Sequence, residues 1–403
     1  MAVDLSVDFC GLRFENPFVL APSPCTDNLE QLVGAFEAGW AGAVFKTISF
    51  ESSIVSRVYP LVNKVEDGLG YFIALQNIDL VSELSLEILE TRIQHLKERF
   101  PHKIVIASIM GRKKEEWQLL AGSLAKAGVD MIQCSISCPH GSEGYLGPYV
   151  QEPSAMEQIA YWVKESVGDK PVVMKLSPQI TDIALAAQSV KNGGADGVCA
   201  VNTLKSIVGV NLDNLIPIPN VGGLSTVGGL SGPALKPVAL RCTAEIARKV
   251  DVDIAGSGGI MTWQDAAEFL LLGAKTLQIC TAVLHYGTNI IRDYIEGLTQ
   301  WLEEKKFQNL SSIIGKSLPY LVDLTYLPRG IQVVSKVDQS RCRRCGQCYA
   351  ACQAGGHHAI KWFEGEVPKI DISHCRGCGI CKAFCSQSAI VLVKPVSELS
   401  GIT

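Results

Sequence analysis

Residues 253–280 read DIAGSGGIMTWQDAAEFLLLGAKTLQIC, and this stretch contains one whole structural repeat. A short apolar run, Asp253–Ala255, leads into a glycine cluster, Gly256–Gly259. Helical periodicity follows over Thr262–Leu272, the Gly273-Ala274 pair ends it, and Thr276–Cys280 is the next apolar run. Working outward, the same alternation recurs. The expected strands are Phe18–Ala21, Ala43–Lys46, Ile104–Ile109, Met131–Ser137, Val172–Leu176, Gly197–Asn202, Asp253–Ala255 and Thr276–Cys280. Each is nearly continuous in apolar character, as parallel strands covered on both faces must be. Between them lie helical patterns such as Asn28–Ala38, Glu115–Ala127, Ser154–Ser166, Ile183–Asn192, Pro233–Lys249 and Thr262–Leu272. Glycine terminates several of these, at Ala38-Gly39, Ala127-Gly128 and Gly194-Ala195. Eight strand–helix units in roughly 270 residues predict an α/β fold of the (β/α)8 TIM-barrel type. A doubly wound sheet is the rival, and no early G-x-G-x-x-G fingerprint favours it.

The 403 residues are 47% hydrophobic and 19% charged, with a net charge of -4. That is enough for one large core and a small satellite domain, and it gives no sign of nucleic-acid binding. The start, MAVDLSVDF, has acids and no basic n-region, so no signal peptide is expected. The apolar stretch Leu32–Lys46 contains Glu37 and is too short to span a bilayer. Fifteen cysteines in a chain of this length point to thiols and metal ligands in a reducing cytoplasm rather than to a disulfide scaffold. The expected domains are a barrel over 1–285, a mostly helical linker over 286–335, a cysteine-rich domain over 336–394 and a tail over 395–403.

Eight of the cysteines form two runs. Cys342, Cys345, Cys348 and Cys352 follow C-x2-C-x2-C-x3-C, and Cys375, Cys378, Cys381 and Cys385 repeat it. This is the spacing of a ferredoxin-like module holding two [4Fe–4S] clusters, in which the fourth cysteine of each run ligates the other cluster. One cluster then takes Cys342, Cys345, Cys348 and Cys385, and the other takes Cys375, Cys378, Cys381 and Cys352. A pair of zinc sites is the rival reading of short cysteine spacings. Arg341, Arg343 and Arg344 crowd the first run, where they either tune or dock redox chemistry or form an ordinary solvated edge.

Barrel chemistry sits at the C-terminal ends of the strands. Those ends read Ala21-Pro22-Ser23-Pro24, Lys46-Thr47, Ser135 through Gly141, Lys175, Asn202-Thr203, Gly256–Gly259 and Cys280-Thr281. Gly256–Gly259 and the start of the next helix form a candidate phosphate cradle, because glycine lets backbone N–H groups approach an anion. With Cys280 and Thr281 it matches a flavin phosphate site. Lys46 and Lys175 end buried strands and need an anionic partner or a polar cofactor. Lys175 beside a flavin pyrimidine ring would stabilise negative charge there, whereas the bland possibility is a snorkelling or salt-bridged lysine. Cys138, in a Pro- and Gly-containing loop after strand four, is a candidate acid or nucleophile. Cys134, Cys199 and Cys242 read as small core residues.

Taken together, Ser137-Cys138-Pro139-His140-Gly141, Lys175-Leu176-Ser177-Pro178, Asn202-Thr203, Gly228-Gly229-Leu230-Ser231-Gly232 and Gly258-Gly259-Ile260 resemble the dihydropyrimidine dehydrogenase family, related to the class 1 dihydroorotate dehydrogenases. The likeness spans nearly the whole chain and is nearest to the bacterial catalytic subunit. It implies an FMN barrel with a two-cluster tail and a partner subunit carrying FAD and NAD(P)H, in a homo- or hetero-oligomer. It implies cofactor contacts from Ala21, Lys46, Thr47, Lys175, Gly229, Gly258, Gly259, Cys280 and Thr281. It also implies reduction of the 5,6 double bond of uracil or thymine, with Cys138 protonating C5. Asn77, Asn202 and Thr203 match positions that grip the ring.

Ser135 stands where the family has an asparagine, three residues before Cys138. Serine reaches less far and lacks the paired donor and acceptor of an amide. The loop Ser142–Tyr149 departs from the family as well. The substrate could therefore be a different cyclic amide or a conjugated carbonyl ring. The same residues are compatible with dihydroorotate oxidation, and the cysteine runs with a non-catalytic electron carrier.

Overall fold

A computed structural model of the chain describes residues 3–50, 58–136 and 152–394. Two compact units divide it, Met1–Leu321 and Val322–Thr403.

The first unit is built on a closed barrel of eight parallel strands. In chain order they are β1 (Phe18–Leu20), β2 (Gly42–Val44), β3 (Ile104–Ile109), β4 (Met131–Ser135), β5 (Val172–Leu176), β6 (Gly197–Ala200), β7 (Asp253–Ser257) and β8 (Thr276–Ile279). Each pairs with the next, and β8 returns to β1 through Leu277↔Phe18, Gln278↔Val19 and Ile279↔Leu20. The expected (β/α)8 barrel is therefore present, with every expected strand beginning within a residue of its place. Helices wrap it: α1 (Leu29–Ala38), α2 (Leu86–Arg99), α3 (Lys114–Ala127), α4 (Pro153–Lys164), α5 (Ile183–Asn192), α6 (Lys236–Lys249) and α7 (Trp263–Leu271). After β8 come a short α8 (Thr281–Tyr286) and α9 (Ile291–Glu304). α9 buries Ile291, Tyr294, Leu298 and Leu302 in the same core, on one face at helical spacing. The Tyr294 ring stacks on Phe18 of β1 at 5.2 Å. No helix among the described residues is long and apolar enough to cross a membrane.

Two additions to the barrel fall outside the strand–helix alternation, so the repeat does not reveal them. A hairpin, Val7–Phe9 with Leu12–Phe14, lies at the N-terminal end of the barrel, where the Cys10 amide donates to Asp253 at 2.7 Å. At the other end, Val62–Glu66, Phe72–Asn77, Gly228–Ser231 and Leu204–Ser206 form a four-stranded antiparallel sheet. Its strands come from the β2–α2 and β6–α6 connections, so two loops far apart in sequence are fastened together at the strand ends.

A repeated clamp fixes the barrel's lower rim. The Asp130 amide donates to the Val105 carbonyl, and the Asp130 carboxylate accepts from the Val105 amide at 2.7 Å. Lys97, in the last turn of α2, donates to the same carboxylate at 2.8 Å. Asp196 repeats this with Val172 (2.7 Å) and Lys164 of α4 (2.6 Å). Each clamp ties a helix C-terminus, where a cation is favoured, to the start of two neighbouring strands. Hydrogen bonds to charged groups contribute about 1.5–3 kcal/mol each when shielded. The Asp130 pair is about 20% exposed and the Asp196 pair about a third. Asp130→Ala is thus expected to destabilise the first unit by about 2 kcal/mol, and Asp196→Ala by less. Urea midpoints followed by circular dichroism check this, and equal or negligible shifts would contradict it.

Candidate active site

The C-terminal ends of the strands surround one cleft of about 1270 Å³, open to solvent. Ala21, Lys46, Thr47, Asn77, Ser135, Lys175, Asn202, Thr203, Gly258, Gly259, Cys280 and Thr281 all line it. These residues come from connections spread over some 260 positions of sequence, and only barrel closure brings them together. Cys138, with its neighbours and the 142–149 loop, lies outside the described residues.

Lys46 follows β2 and is 4% exposed, and its Nζ donates to Asp79 Oδ2 at 2.6 Å. Both side chains belong to the cleft wall, so this is a paired buried charge of the kind a low-dielectric site tolerates. Thr47 Oγ1 and Ser108 Oγ of β3 share a hydrogen bond at 2.8 Å. Ser135, the last residue of β4, sits in register with Lys175 on β5. Both are nearly buried, at 7% and 8% exposure, so a hydroxyl and a cation face the same dry end of the cleft. Beneath them, Gln278 of β8 donates to Gln133 of β4 and accepts from the Cys199 thiol of β6. That polar layer comes from alternate strands, as barrel layers do.

The antiparallel sheet supplies the opposite wall. Asn77 Nδ2 donates to the Gly229 carbonyl at 3.1 Å, and the Thr203 amide donates to Asn202 Oδ1 at 2.8 Å. Gly229 is not a wall residue. It lies behind the wall, where a Cβ would come within 2.3 Å of Thr203 Oγ1 and 3.3 Å of Asn77 Nδ2. Its lack of a side chain lets the two polar groups sit side by side.

At the far end, Gly258 and Gly259 have φ of 120° and 77°. A Cβ on Gly259 would meet the Lys236 amide nitrogen at 2.7 Å and the Gly232 carbonyl at 2.8 Å. Position 259 thus accepts only glycine. At the start of α7 the Asp265 carboxylate accepts from the Met261 and Thr262 amides, and the Asp265 amide donates to Thr262 Oγ1. Burial pushes the Asp265 carboxyl up, but bonds from Lys236, Met261 and Thr262 outweigh it and hold it below the usual range. The neighbouring α8 has Cys280 at its N-cap and no capping side chain, and Cys280 and Thr281 line the cleft with Gly258 and Gly259. Burial pushes the Cys280 thiol up to about 12, with Lys175 pulling the other way, so it stays a neutral thiol.

Asp79, Ser231, Ser257 and Gln278 also line the cleft, and the sequence reading misses them. Asp79 carries one usable signal, an acid two residues after Asn77. The others are ordinary strand residues until the barrel is closed.

The second unit pairs Val334–Val337 with Ile390–Val393 and Ile360–Lys361 with Lys369–Ile370, around α10 (Gln347–Ala354) and α11 (Ile380–Ala383). One cavity of about 350 Å³ is lined by Cys342, Cys345, Cys348 and Cys385. Another, of about 300 Å³, is lined by Cys375, Cys378, Cys381 and Cys352. In each, the fourth cysteine comes from the other run. Several sulfurs accept hydrogen bonds: Cys352 from the Ala359 amide (3.3 Å), Cys385 from Ala389 (3.2 Å) and Cys375 from Ser335 (3.4 Å). Among the described residues, no three His, Cys, Asp or Glu side chains are grouped to hold a single metal ion.

Comparison with known proteins fits this architecture. The dihydroorotate dehydrogenase family model matches residues 4–302. The chain is 40% identical over 366 residues to the NAD-dependent dihydropyrimidine dehydrogenase subunit PreA of Escherichia coli (strain K12), covering 90% of this chain and 88% of that one. It is 34% identical over 338 residues to the chloroplastic dihydropyrimidine dehydrogenase (NADP(+)) of Arabidopsis thaliana, covering 80% and 79%. It is also 37% identical over 324 residues to the catalytic subunit of dihydroorotate dehydrogenase B (NAD(+)) of Thermococcus kodakarensis, covering 78% of this chain and 98% of that one. A matched barrel and relatives aligned along most of its length place the chain in the dihydroorotate dehydrogenase family, as a catalytic subunit related to the dihydropyrimidine dehydrogenases and an oxidoreductase of CH–CH bonds.

Proposed function

We propose that this chain is the FMN- and iron–sulfur-dependent subunit that reduces the 5,6 double bond of a pyrimidine-like ring, with electrons from a cytoplasmic partner subunit carrying FAD and NAD(P)H. The observation that carries this reading is the single cleft in which an anion cradle and a cation end face a wall of amide and hydroxyl groups. The residues fit FMN. The Gly258-Gly259 turn leaves the space a Cβ would fill, and with Cys280 and Thr281 it suits a phosphate. Ala21, Thr47, Lys46 and Lys175 would lie along the rings. The cysteine cavities likewise fit four-thiolate clusters, because the crossing of the fourth cysteine is what two-cluster spacing demands.

Bound FMN supplies the two-electron chemistry at C6 of the ring. The chain's own residues do the rest. Asn77, Asn202 and Thr203 hold the ring's amide edge, each offering a hydrogen-bonding group on the cleft wall. Charge that develops on the conjugated carbonyl as C6 is reduced needs donors already in place. Cys138 then delivers a proton to C5, so that the double bond gains one hydrogen at each carbon. Ser135 is shorter than an asparagine and lacks its paired donor and acceptor, so another cyclic amide or a conjugated carbonyl ring is the alternative substrate. Dihydroorotate oxidation is the second reading, favoured by the family match over 4–302, but that match ends before the cysteine-rich unit.

Cys138→Ala is expected to lower turnover by about 10²–10⁴ while flavin and iron content are kept. Stopped-flow turnover with cofactor analysis decides this, and unchanged turnover would remove Cys138 from the mechanism. Gly259→Ala is expected to weaken FMN binding about ten-fold or more, because a left-handed alanine costs about 1–2 kcal/mol before any clash. Flavin fluorescence titration of the stripped protein measures it, and wild-type affinity would sink the cradle. Photoreduced protein, offered uracil, thymine, orotate and further cyclic amides, should have its flavin reoxidised by a cyclic amide carrying a conjugated double bond. Reoxidation by orotate alone would favour the second reading.

A further inference from the structure

The two cysteine runs repeat more than their cysteines. Each has an arginine directly after its first cysteine, Cys342-Arg343 and Cys375-Arg376. Arg343 lines the first cavity and Arg376 the second, and both are exposed. The repeat then breaks in charge. Arg341 and Arg344 flank the first run, whereas His374 and Gly377 hold the corresponding places in the second. Residues 322–394 contain ten Lys or Arg and five Asp or Glu, in a chain whose net charge is -4. The rest of the molecule is therefore acidic, and the positive charge is concentrated on the cysteine-bearing unit.

Each cavity reaches solvent at its second cysteine, Cys345 in the first and Cys378 in the second, so charge rather than exposure sets the first apart. Cys345 is exposed, while Cys348 beside it is buried. Gly346, between them, is packed against the Trp362 ring, where a Cβ would come within 2.7 Å of it. Cys345 thus marks the side on which the cavity reaches the surface. Arg341 lies 3.6 Å from Asp338, and that pair is 64% and 39% exposed, too wet to cancel much charge. Arginine suits such a surface because its weakly hydrated guanidinium is readily desolvated against a carboxylate.

We propose that the face carrying Arg341, Arg343, Arg344 and Cys345 is the electron-entry surface, and that its partner is a redox protein presenting an acidic patch around its own centre. The inference rests on the cluster reading above and adds the location and chemistry of docking. One electron leaves the donor's reduced centre, which is oxidised, and arrives at the centre held behind Cys345, which is reduced. No bond forms or breaks and no proton moves. Opposite charge around the two centres steers the encounter and orients it.

A photoreduced acidic [2Fe–2S] ferredoxin serves as the probe against the anaerobically purified holoprotein. Its second-order rate of electron delivery should fall at least about ten-fold between about 20 and about 300 mM salt. Arg341→Glu with Arg343→Glu should cause a similar loss at low salt and flatten the salt dependence. Reduction by a cationic viologen radical should not be slowed, which separates lost docking from damaged clusters. The proposal is overturned by a rate insensitive to salt, or by a double variant that matches wild type. It is equally overturned if the variant shifts the reduction potential but leaves the salt dependence intact, since the arginines would then only tune the centre. Should the protein contain no iron or sulfide, the cluster reading fails. Surface plasmon resonance of the oxidised ferredoxin, with the same salt series and variant, then decides the surface alone.

Discussion

The seam between β8 and β1 is the contact on which the rest depends. Three register pairs, Leu277↔Phe18, Gln278↔Val19 and Ile279↔Leu20, turn an open parallel sheet into a cylinder. Without them Ala21 and Thr281 would stand at opposite edges of a sheet. With them, the Ala21 amide donates to the Ile279 carbonyl at 2.9 Å, and both ends of the first unit's sequence contribute to one cleft. The stacking of Phe18 on Tyr294 carries the closure outward into α9. Closure pairs the edge groups that an open sheet would have to cover or leave to solvent.

Closure also explains why the cleft tolerates so much buried polarity. Lys46, Ser135, Lys175, Ser257 and Gln278 are each under 9% exposed. Such groups are costly in an apolar core unless they are paired or meet a polar ligand. Asp79 pairs Lys46, and Gln278 is held by Gln133 and Cys199. Ser135 and Ser257 line the cleft itself, which is where a polar cofactor and a cyclic amide would replace water.

Much of this was legible in the residues. Ile104–Ile109 and Val172–Leu176 open on β-branched residues and are followed by clear breakers, and both strands begin and end where the pattern puts them. Asn28 and Thr262 signal helix starts, and each accepts a capping hydrogen bond. Phe72–Asn77 was not legible as a strand. It stands outside the strand–helix alternation, and its Gly228–Ser231 partner strand lies some 150 residues away. The start of α7 was legible, since Thr262 and Asp265 stand at capping-box spacing and the Asp265 carboxylate accepts from the Met261 and Thr262 amides. Gly229 matched a family motif, and its place is behind the wall rather than on it. The cysteine runs were the clearest signal, because ligand spacing is a local property of the chain.

The central claim is that one cleft and two cysteine cavities hold three redox centres in a single chain. Cofactor content of the anaerobically purified, untreated protein tests it most directly. Acid release followed by chromatography, with iron and sulfide assays, should give one FMN and roughly eight iron atoms per chain. Protein that carries zinc in place of iron, or that neither contains nor takes up FMN, would contradict the account.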